Sequence, residues 1–332
     1  MAPGPGCRRG SDSSRRASRS GDQAGPGRAH GPFHGGDLAG APAQSRRSVH
    51  CARATQREVR VSGLKSLTAV ADWQSWAVFR RNALVFLRHW RTAVIPPAME
   101  PVIFFAAFGI GFSGYIETLS YRGVDINYAT YVAAGLIAYT GFGTPYYEGL
   151  YSAYFRMFYQ KTWDGILATQ VELPSVVWGE ILWGAVRGMV NISIVSVVIA
   201  VFDLIGLVDV KVEFLLLMPF LGFIAGCAFA SFALIFTAIV PAIDHMNYPV
   251  FLIGWPLSLV SNTFFPVEPQ SPALRALMQI NPVYQLAECA RGFLVLGNPG
   301  SHLLGLLGST VLFLVPCTLL AVRLTRRRVL GD

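Results

Sequence analysis

Long apolar runs, separated by short polar segments, make up most of the chain from residue 94 onward. A helix needs about 20 mostly apolar residues to cross the hydrocarbon core of a bilayer, which is roughly 30 Å thick. Unbroken apolar runs favour helices, because only helices and closed barrels satisfy every backbone polar group in lipid. The pattern therefore predicts six spans: Val94–Phe112, Tyr128–Leu150, Val176–Phe202, Phe214–Val240, Tyr248–Phe265 and His302–Val322.

The segment before the first span, Asp72–Arg91, has a different pattern. It is too charged to cross a membrane, but its apolar residues recur at helical spacing, and Asp72 can cap the helix. An apolar face rich in Trp opposite a cationic face is typical of a helix at the membrane surface. The alternative is an amphipathic helix packed on a soluble core, and the remaining chain offers no such core. The apolar face comprises Trp76, Phe79, Ala83, Phe86 and Trp90.

The segment before the last span is not a plain loop. Residues 264–297 contain two short apolar-periodic pieces, Ala273–Ile280 and Val283–Leu296. Asn281 and Pro282 separate them, because a residue before proline avoids the helical region. Two short helices that dip back toward the membrane fit this pattern better than a free loop of the same length.

Lysine and arginine residues near the span ends predict the orientation of the chain. Arginines precede the first span and follow the last, and Arg156 and Lys161 follow the second. Acidic residues outnumber basic ones after the first and third spans. Both termini are therefore predicted to be cytoplasmic, in a multi-pass protein of the bacterial inner membrane. Residues 266–301, with the two short helices, are predicted to be external.

The composition agrees with this prediction. The chain is 53% hydrophobic and 14% charged, whereas soluble domains average about 25% charged residues. We therefore predict an all-α integral membrane protein with a transmembrane domain over residues 69–325 and a short cytoplasmic tail at 326–332.

The net charge of +8 lies in the first 68 residues, which hold 12 Lys or Arg and 4 Asp or Glu. This segment is rich in Gly, Pro, Ser and Arg and has few large apolar residues, so we predict a disordered and dispensable tail. A basic tail can touch anionic membrane lipid. The rest of the chain is balanced in charge, so no nucleic-acid partner is predicted.

Motifs for catalysis and cofactor binding are missing from the sequence. It has no phosphate-binding GxxxxGK[ST] loop, no His-Glu-x-x-His and no Gly-x-Ser-x-Gly elbow. The five cysteines are odd in number and form no Cys-x-x-Cys pair. We predict no catalytic residue, no cofactor and no metal site.

Three ionisable residues within or beside the predicted spans are candidates for function. Glu180 and Arg187 are seven residues apart, so they share a helix face but lie about 10 Å apart along its axis, too far for a direct pair. Glu148 ends the second span and can face either of them. A structural ion pair and a role in a transport path both remain open. No buried chain of carboxylates indicates a proton relay.

Three stretches of the sequence resemble a known family. They are "MEPVIFFAAFGIGFSGYI" (99–116), "RMFYQKTWDGILATQVELPSVVWGEILWGAVRG" (156–188) and "FFPVEPQSPALRALMQINPVYQLAECARG" (264–292). They resemble the nodulation-protein-J branch of ABC-2-type permeases, which is similar to the daunorubicin-resistance permeases. The resemblance covers about residues 70–325. One departure is Gln170–Pro174, where the family more often shows Thr-Pro-Leu-Ser.

The resemblance implies the permease subunit of an ATP-binding-cassette exporter. A separate ATPase subunit binds and hydrolyses ATP, and two permease copies, or one copy and a paralogue, form a dimer. The substrate is amphipathic, such as a lipo-oligosaccharide or a hydrophobic drug. Aromatic residues of the second span offer stacking surfaces for sugars or rings, or pack within the bundle; they are Tyr131, Tyr139, Phe142, Tyr146 and Tyr147.

The resemblance also assigns two sites. The cytoplasmic loop after the second span is a coupling helix that docks on the ATPase, with aromatic anchors and a few charges that set the register. The external double helix seals the outer end of the path. The docking residues are Phe155, Arg156, Phe158, Tyr159, Lys161, Trp163 and Asp164, and the gate residues are Asn281, Pro282, Glu288 and Arg291.

Two other functions remain open from the sequence. A secondary transporter or channel would keep transporting after ATP depletion with an ion gradient intact. A polytopic enzyme acting on lipid would convert its substrate as a purified chain. A neighbouring ATPase gene would favour the exporter over both.

Overall fold

The computed structural model describes residues 66–91, 99, 102–112, 115, 118–267 and 271–330. This part of the chain is mostly helical. Its main elements are α1 (Trp73–Arg88), β1 (Leu119–Tyr121), β2 (Val124–Ile126), α2 (Tyr128–Tyr147), α3 (Thr162–Leu167), α4 (Leu173–Leu204), α5 (Met218–Ile239), α6 (Pro272–Ile280), α7 (Pro282–Arg291) and α8 (His302–Leu330).

Shorter helical pieces connect these elements. Three are 3₁₀ turns, at Ala69–Ala71, Val212–Phe214 and Ile243–Met246, and two are short α-helical pieces, at Asn247–Pro249 and Trp255–Leu259. Five are π-helical: Phe105–Ile110, Glu148–Ser152, Phe155–Tyr159, Val250–Gly254 and Gly292–Leu296. Single π-helical turns are rare and are frequently found at functional sites.

Helices α4, α5 and α8 are each long and apolar enough to cross a membrane. They coincide with the third, fourth and sixth predicted spans. Helix α2 covers most of the second span and continues into a π-helical turn. The fifth span consists of short α- and π-helical pieces. Part of the first span, residues 94–98 and 100–101, lies outside the described residues. The protein is therefore an integral membrane protein of mostly helical structure.

Helices α2, α4 and α5 approach one another at glycines. A Cβ added at Gly226 would lie 3.1 Å from Cγ of Pro145, and one added at Gly149 would lie 2.6 Å from Cβ of Ala233. A Cβ at Gly222 would overlap the Ile192 side chain. Gly222 and Gly226, which are four residues apart on α5, therefore contact other helices of the same chain, because small residues let helix backbones approach closely.

Helix α1 begins where the sequence predicts. The Asp72 side chain accepts a hydrogen bond from the Gln74 backbone N–H at 3.4 Å. Its predicted apolar face is split between two environments: Phe79 and Phe86 contact the Trp183 ring of α4, whereas Trp76 is 61% exposed.

The buried stripe of α1 differs from the predicted apolar face. Ser75, Val78 and Asn82 are buried, and Val78 fills the space left by Gly179 of α4. A narrow stripe of small and polar residues therefore attaches α1 to the bundle. Apolar periodicity alone does not reveal such a stripe, because two of its three members are polar.

The end of the predicted tail belongs to the packed structure. Ser66 is buried, and its carbonyl oxygen accepts a hydrogen bond from Nε1 of Trp178 at 2.6 Å. The boundary predicted at residue 68 thus lies slightly too late. Residues 1–65, which carry the rest of that prediction, lie outside the described residues.

A short β-hairpin corrects the all-α prediction. Its strands pair antiparallel, with Leu119 opposite Ile126 and Tyr121 opposite Val124. Arg122 and Gly123 form the turn with φ of 51° and 83°, and two-residue hairpin turns favour two positive φ angles because this twist matches the strands. In the sequence, Gly123 is the one residue that indicates this turn. Strands of three residues are too short to show the alternation of apolar and polar residues that predicts a strand.

The two short helices before α8 are present as predicted. Helices α6 and α7 are separated at Asn281, whose side chain caps α7 by accepting a hydrogen bond from the Val283 N–H at 3.0 Å. The second piece is α-helical only to Arg291 and continues as a π-helical turn.

Candidate functional site

A buried arginine joins two carboxylates near the ends of α2 and α4. Arg156 donates from Nη1 to Oε1 of Glu148 at 3.0 Å and from Nε to Oε1 of Glu180 at 3.0 Å. Its Nη2 donates to the second oxygen of Glu180, so that pair is bidentate. Bidentate arginine–carboxylate pairs combine strength with fixed geometry. The guanidinium is thus held between two helices.

Two tryptophans complete this arrangement. Nε1 of Trp163 donates to Glu180 at 3.2 Å, and Nε1 of Trp183 donates to Glu148 at 2.9 Å. The indole N–H groups occupy acceptor positions that would otherwise be left empty in the interior. We call Arg156, Glu148, Glu180, Trp163 and Trp183 the Arg156 bridge.

The Arg156 bridge lies away from water. The side chains of Arg156, Glu148 and Glu180 are 12%, 11% and 3% exposed. Removing charges from water costs several kcal/mol per ion, and this cost is offset here by pairing and by hydrogen bonds to the remaining oxygens. The bridge therefore ties four elements together: the π-helical turns at 148–152 and 155–159, α3 and α4.

The bridge changes the roles predicted for two docking residues. Trp163, predicted as a docking residue, is 1% exposed, so its side chain does not lie at the surface where a docking anchor is needed. Arg156 is directed into the protein and does not lie at the surface. The partner of Glu180 is Arg156 and not Arg187, and Glu148 faces the same arginine. Sequence spacing misses this contact because Arg156 and Glu180 are 24 residues apart.

The remaining docking residues are divided between surface and interior. Phe155 and Tyr159 are 45% and 59% exposed, and their rings stack with centroids 5.3 Å apart. Lys161 and Asp164 form an exposed ion pair at 3.8 Å. Phe158 is half-buried, with the Arg328 guanidinium 4.2 Å from its ring centroid.

The backbone around the bridge is irregular. Pro145 lies inside α2, where it removes a backbone donor and disturbs the preceding turn. The π-helical turns at 148–152 and 155–159 follow. Lys161 then has a φ of 52°, which turns the chain from the second π-helical turn into α3.

Two cavities adjoin the Arg156 bridge. The first, of about 460 Å³, lies between α1 and α4, and we call it the α1 cavity. The second, of about 270 Å³, lies between α2 and α4, and we call it the tyrosine cavity. Four residues line both cavities: Glu148, Tyr151, Ser152 and Arg187.

The two cavities have different walls. Arg81, Asn82 and Phe86 of α1 line the first. Burial, and next the charge of Arg156, hold the pKa of Arg81 below its ordinary value. The tyrosine cavity is lined mainly by hydroxyl, phenol and amide groups; they belong to Tyr139, Thr140, Thr144, Tyr147, Tyr151, Ser152 and Asn191. Among the span-two aromatics, Tyr139 and Tyr147 thus reach a cavity, whereas Tyr131, Phe142 and Tyr146 are buried in the core.

A second buried arginine lies near the hairpin. Arg291 is fully buried, and its guanidinium lies 3.8 Å from the ring centroid of Tyr131. It donates from Nη1 to Glu288 at 3.0 Å and from Nη2 to the carbonyl oxygens of Thr263, at 3.1 Å, and Asn262. We call Arg291, Glu288, Tyr121 and Tyr131, with the carbonyls of Asn262 and Thr263, the Arg291 cluster.

The Arg291 cluster connects α7 to the hairpin. Glu288 accepts hydrogen bonds from the Tyr121 hydroxyl at 2.9 Å and from Arg122 at 3.5 Å. Burial, and next the Glu288 carboxylate, raise the pKa of Tyr121, which keeps this phenol a donor. Asn262 has a left-handed φ of 54°, and its carbonyl oxygen accepts from Tyr131 as well as from Arg291.

Of the predicted gate residues, Glu288 and Arg291 therefore meet in one cluster. Asn281 lies apart from it, caps α7 and donates from Nδ2 to the Ser261 hydroxyl at 2.6 Å. Pro282 is the first residue of α7. The contributions of Tyr121 and Asn262 were missed, because both depend on turns with positive φ angles.

Comparison with known proteins identifies the family. A family model for the ABC-2 type transporter matches residues 74–295. Nodulation protein J of Rhizobium meliloti (strain 1021) is 27% identical over 258 residues, which cover 78% of this chain and 95% of that protein. Nodulation protein J of Neorhizobium galegae is 28% identical over 273 residues, covering 81% and 98%.

A relative from another organism extends this comparison. The inner membrane transport permease YadH of Escherichia coli (strain K12) is 24% identical over 246 residues, which cover 73% of this chain and 90% of that protein. The match to the family model includes α1 from its second residue, the Arg156 bridge, both cavities and the Arg291 cluster. The chain therefore belongs to the ABC-2 type transporter family, as a membrane permease of the branch that includes nodulation protein J.

Proposed function

We propose that this chain is the transmembrane subunit of an exporter that moves an amphipathic substrate, such as a lipo-oligosaccharide or a hydrophobic drug. A separate ATPase subunit supplies the energy, and the chain itself carries no cofactor. Two copies, or one copy and a paralogue, form the path, each with six spans. Membership of the transporter family supports this proposal. The observation that carries it is the Arg156 bridge, which links a surface loop to two long helices.

The Arg156 bridge provides a route from the loop to the helices. A displacement of α3 acts on Glu180 through Trp163, and a displacement of the 155–159 turn acts on Glu148 and Glu180 through Arg156. Packed interiors do not deform continuously, so a rigid contact of this kind transmits motion. Nucleotide binding on the ATPase would shift the population between two arrangements of α2 and α4.

The exposed aromatic pair beside the bridge is the proposed docking surface. Phe155 and Tyr159 stack on each other at the surface, and the Lys161–Asp164 pair lies close by in the chain. Aromatic residues dominate the energetics of protein interfaces, and charges at the rim set the orientation. Such a surface fits a cleft on the ATPase subunit.

Replacing both Phe155 and Tyr159 with Ala should release the ATPase. Truncating interface anchors typically costs about 2–4 kcal/mol of binding, or roughly 30- to 1000-fold in affinity at about 1.4 kcal/mol per tenfold. Both side chains are largely exposed, so the melting temperature of the permease in detergent should stay near the wild-type value. Co-purification of the ATPase measures the binding.

The matched control is Leu277→Ala, which truncates an exposed apolar side chain of α6. It should leave ATPase binding unchanged, because α6 is proposed to lie on the external side. A double variant that still retains its ATPase at the wild-type ratio would refute the docking assignment.

We also propose that both termini are cytoplasmic and that α6 and α7 seal the outer end of the path. A cysteine at the exposed position Ala273, in a variant lacking the five native cysteines, should react with a membrane-impermeant thiol reagent in intact cells. A cysteine at Tyr159 should react only after the cells are permeabilised. The opposite labelling pattern would show that the topology is the reverse of the proposed one.

A further inference from the structure

We propose that Arg187 binds the anionic headgroup of an amphiphile at the junction of the α1 cavity and the tyrosine cavity. The ligand class is a lipid-like molecule that carries a phosphate or a comparable anionic group. The binding of this ligand does not depend on the proposed export function. Only the interpretation of the ligand as the transported substrate rests on that function.

Among the described residues, Arg187 forms no salt bridge within 4.0 Å, and its buried Nε has no hydrogen-bond partner. The charges of Arg187 and Glu148 interact only at a longer distance. Its guanidinium lies 4.6 Å from the ring centroid of Phe86. A guanidinium in a membrane protein is unfavourable without an anion or water beside it. The side chain therefore has unused donors, and it lines both cavities.

The charges around the junction favour an anion. Glu148 is the one carboxylate that lines either of these two cavities, and its oxygens are already engaged by Arg156, Trp183 and Ser152. Arg81 also lines the α1 cavity, and it donates to the neutral oxygens of Asn82 and Thr162. Arg81, Arg156 and Arg187 line the α1 cavity, and Arg156 is shared by the carboxylates of Glu148 and Glu180. Three arginines thus stand against two carboxylates, which leaves one positive charge in excess.

The shape and surroundings of the cavities favour an amphiphile over a free ion. Ligand pockets typically measure about 300–1,000 Å³, and the α1 cavity alone has about 460 Å³. Val85 lines this cavity and is an exposed apolar residue that can contact an acyl chain. An arginine fork matches the oxygens of a phosphate in a bidentate geometry.

The test is binding of a fluorescent phosphatidylglycerol to the purified full-length chain in a zwitterionic detergent. Arg187→Gln should weaken this binding about tenfold or more, while phosphatidylcholine should bind weakly to both proteins. Arg88→Gln is the matched control, because it removes the same charge from an exposed position of α1. This variant should bind phosphatidylglycerol with wild-type affinity.

Two further measurements complete the test. Arg187→Lys keeps the charge but loses the fork, so it should bind with intermediate affinity, and it replaces the Gln variant if that variant is unstable. Competition by millimolar glycerol phosphate would show that the anion alone is recognised, and lack of competition would show that the acyl chains are also required. Wild-type affinity in both Arg187 variants would overturn the assignment. The assay contains no ATPase, so failure of the export proposal would not affect it.

Discussion

Replacing Arg156 with Gln should be strongly destabilising. The substitution leaves Glu148 and Glu180 buried without their shared cation, and breaking a buried pair by removing one partner costs about 3–5 kcal/mol. That is a large fraction of the roughly 5–15 kcal/mol by which domains are stable. The melting temperature and the yield of monodisperse protein in detergent should both fall sharply, and export should be lost.

A matched pair of variants separates stability from coupling. Lys161→Gln breaks an exposed ion pair in the same loop, which should cost at most about 1 kcal/mol. The triple variant Arg156→Met, Glu148→Gln, Glu180→Gln removes all three charges and should recover much of the stability, because buried pairs are often replaceable by neutral groups. It should remain deficient in ATP-driven export. An Arg156→Gln protein as stable as wild type would contradict the structural role of the bridge.

Arg291→Met should have an effect of similar size at the other charged cluster. The change removes the Arg291 donors from Glu288 and from the Asn262 and Thr263 carbonyls in a buried position, at a cost of about 3–5 kcal/mol. Glu288 then keeps only the Tyr121 hydroxyl and the 3.5 Å pair with Arg122. The loop at 260–267 and the hairpin should loosen together. Limited proteolysis and thermal unfolding of the purified protein measure both effects.

Two controls limit the interpretation of that result. Arg275→Gln removes an exposed arginine from α6 and should change stability by less than about 0.5 kcal/mol. Combining Arg291→Met with Glu288→Gln should recover part of the loss, because no buried carboxylate is then left with only the 3.5 Å pair to Arg122. If Arg291→Met alone unfolds at the wild-type temperature, the cluster is not a structural connection.

The elements of this fold were predictable where a single segment determines them. Asp72 and Asn281 cap helices because each accepts a hydrogen bond from a backbone N–H two residues ahead. The apolar runs over α4, α5 and α8 specify membrane-spanning length by their composition. The break between α6 and α7 follows from the backbone restriction before Pro282. None of these features depends on distant parts of the chain.

The candidate site was only partly predictable because its contacts join distant segments. Trp163 has an apolar ring and one N–H donor, and the loop sequence does not show that Glu180 accepts a hydrogen bond from this donor. An exposed aromatic anchor and a buried one therefore look identical in sequence. The same applies to Arg156, whose charge suggests a surface position until two carboxylates from other elements are placed beside it.

The close approaches at Gly149, Gly222 and Gly226 bear on how such a protein can diverge. At these positions the packing of α2, α4 and α5 depends on the absence of a side chain, which lets the helices approach closely. A few glycines therefore fix contacts that would otherwise need large side chains of complementary shape. Several exposed side chains of α4 and α5 are apolar, and many apolar residues are equivalent in contact with lipid. A shared helix arrangement is therefore compatible with the 27% identity that separates this chain from nodulation protein J of Rhizobium meliloti (strain 1021).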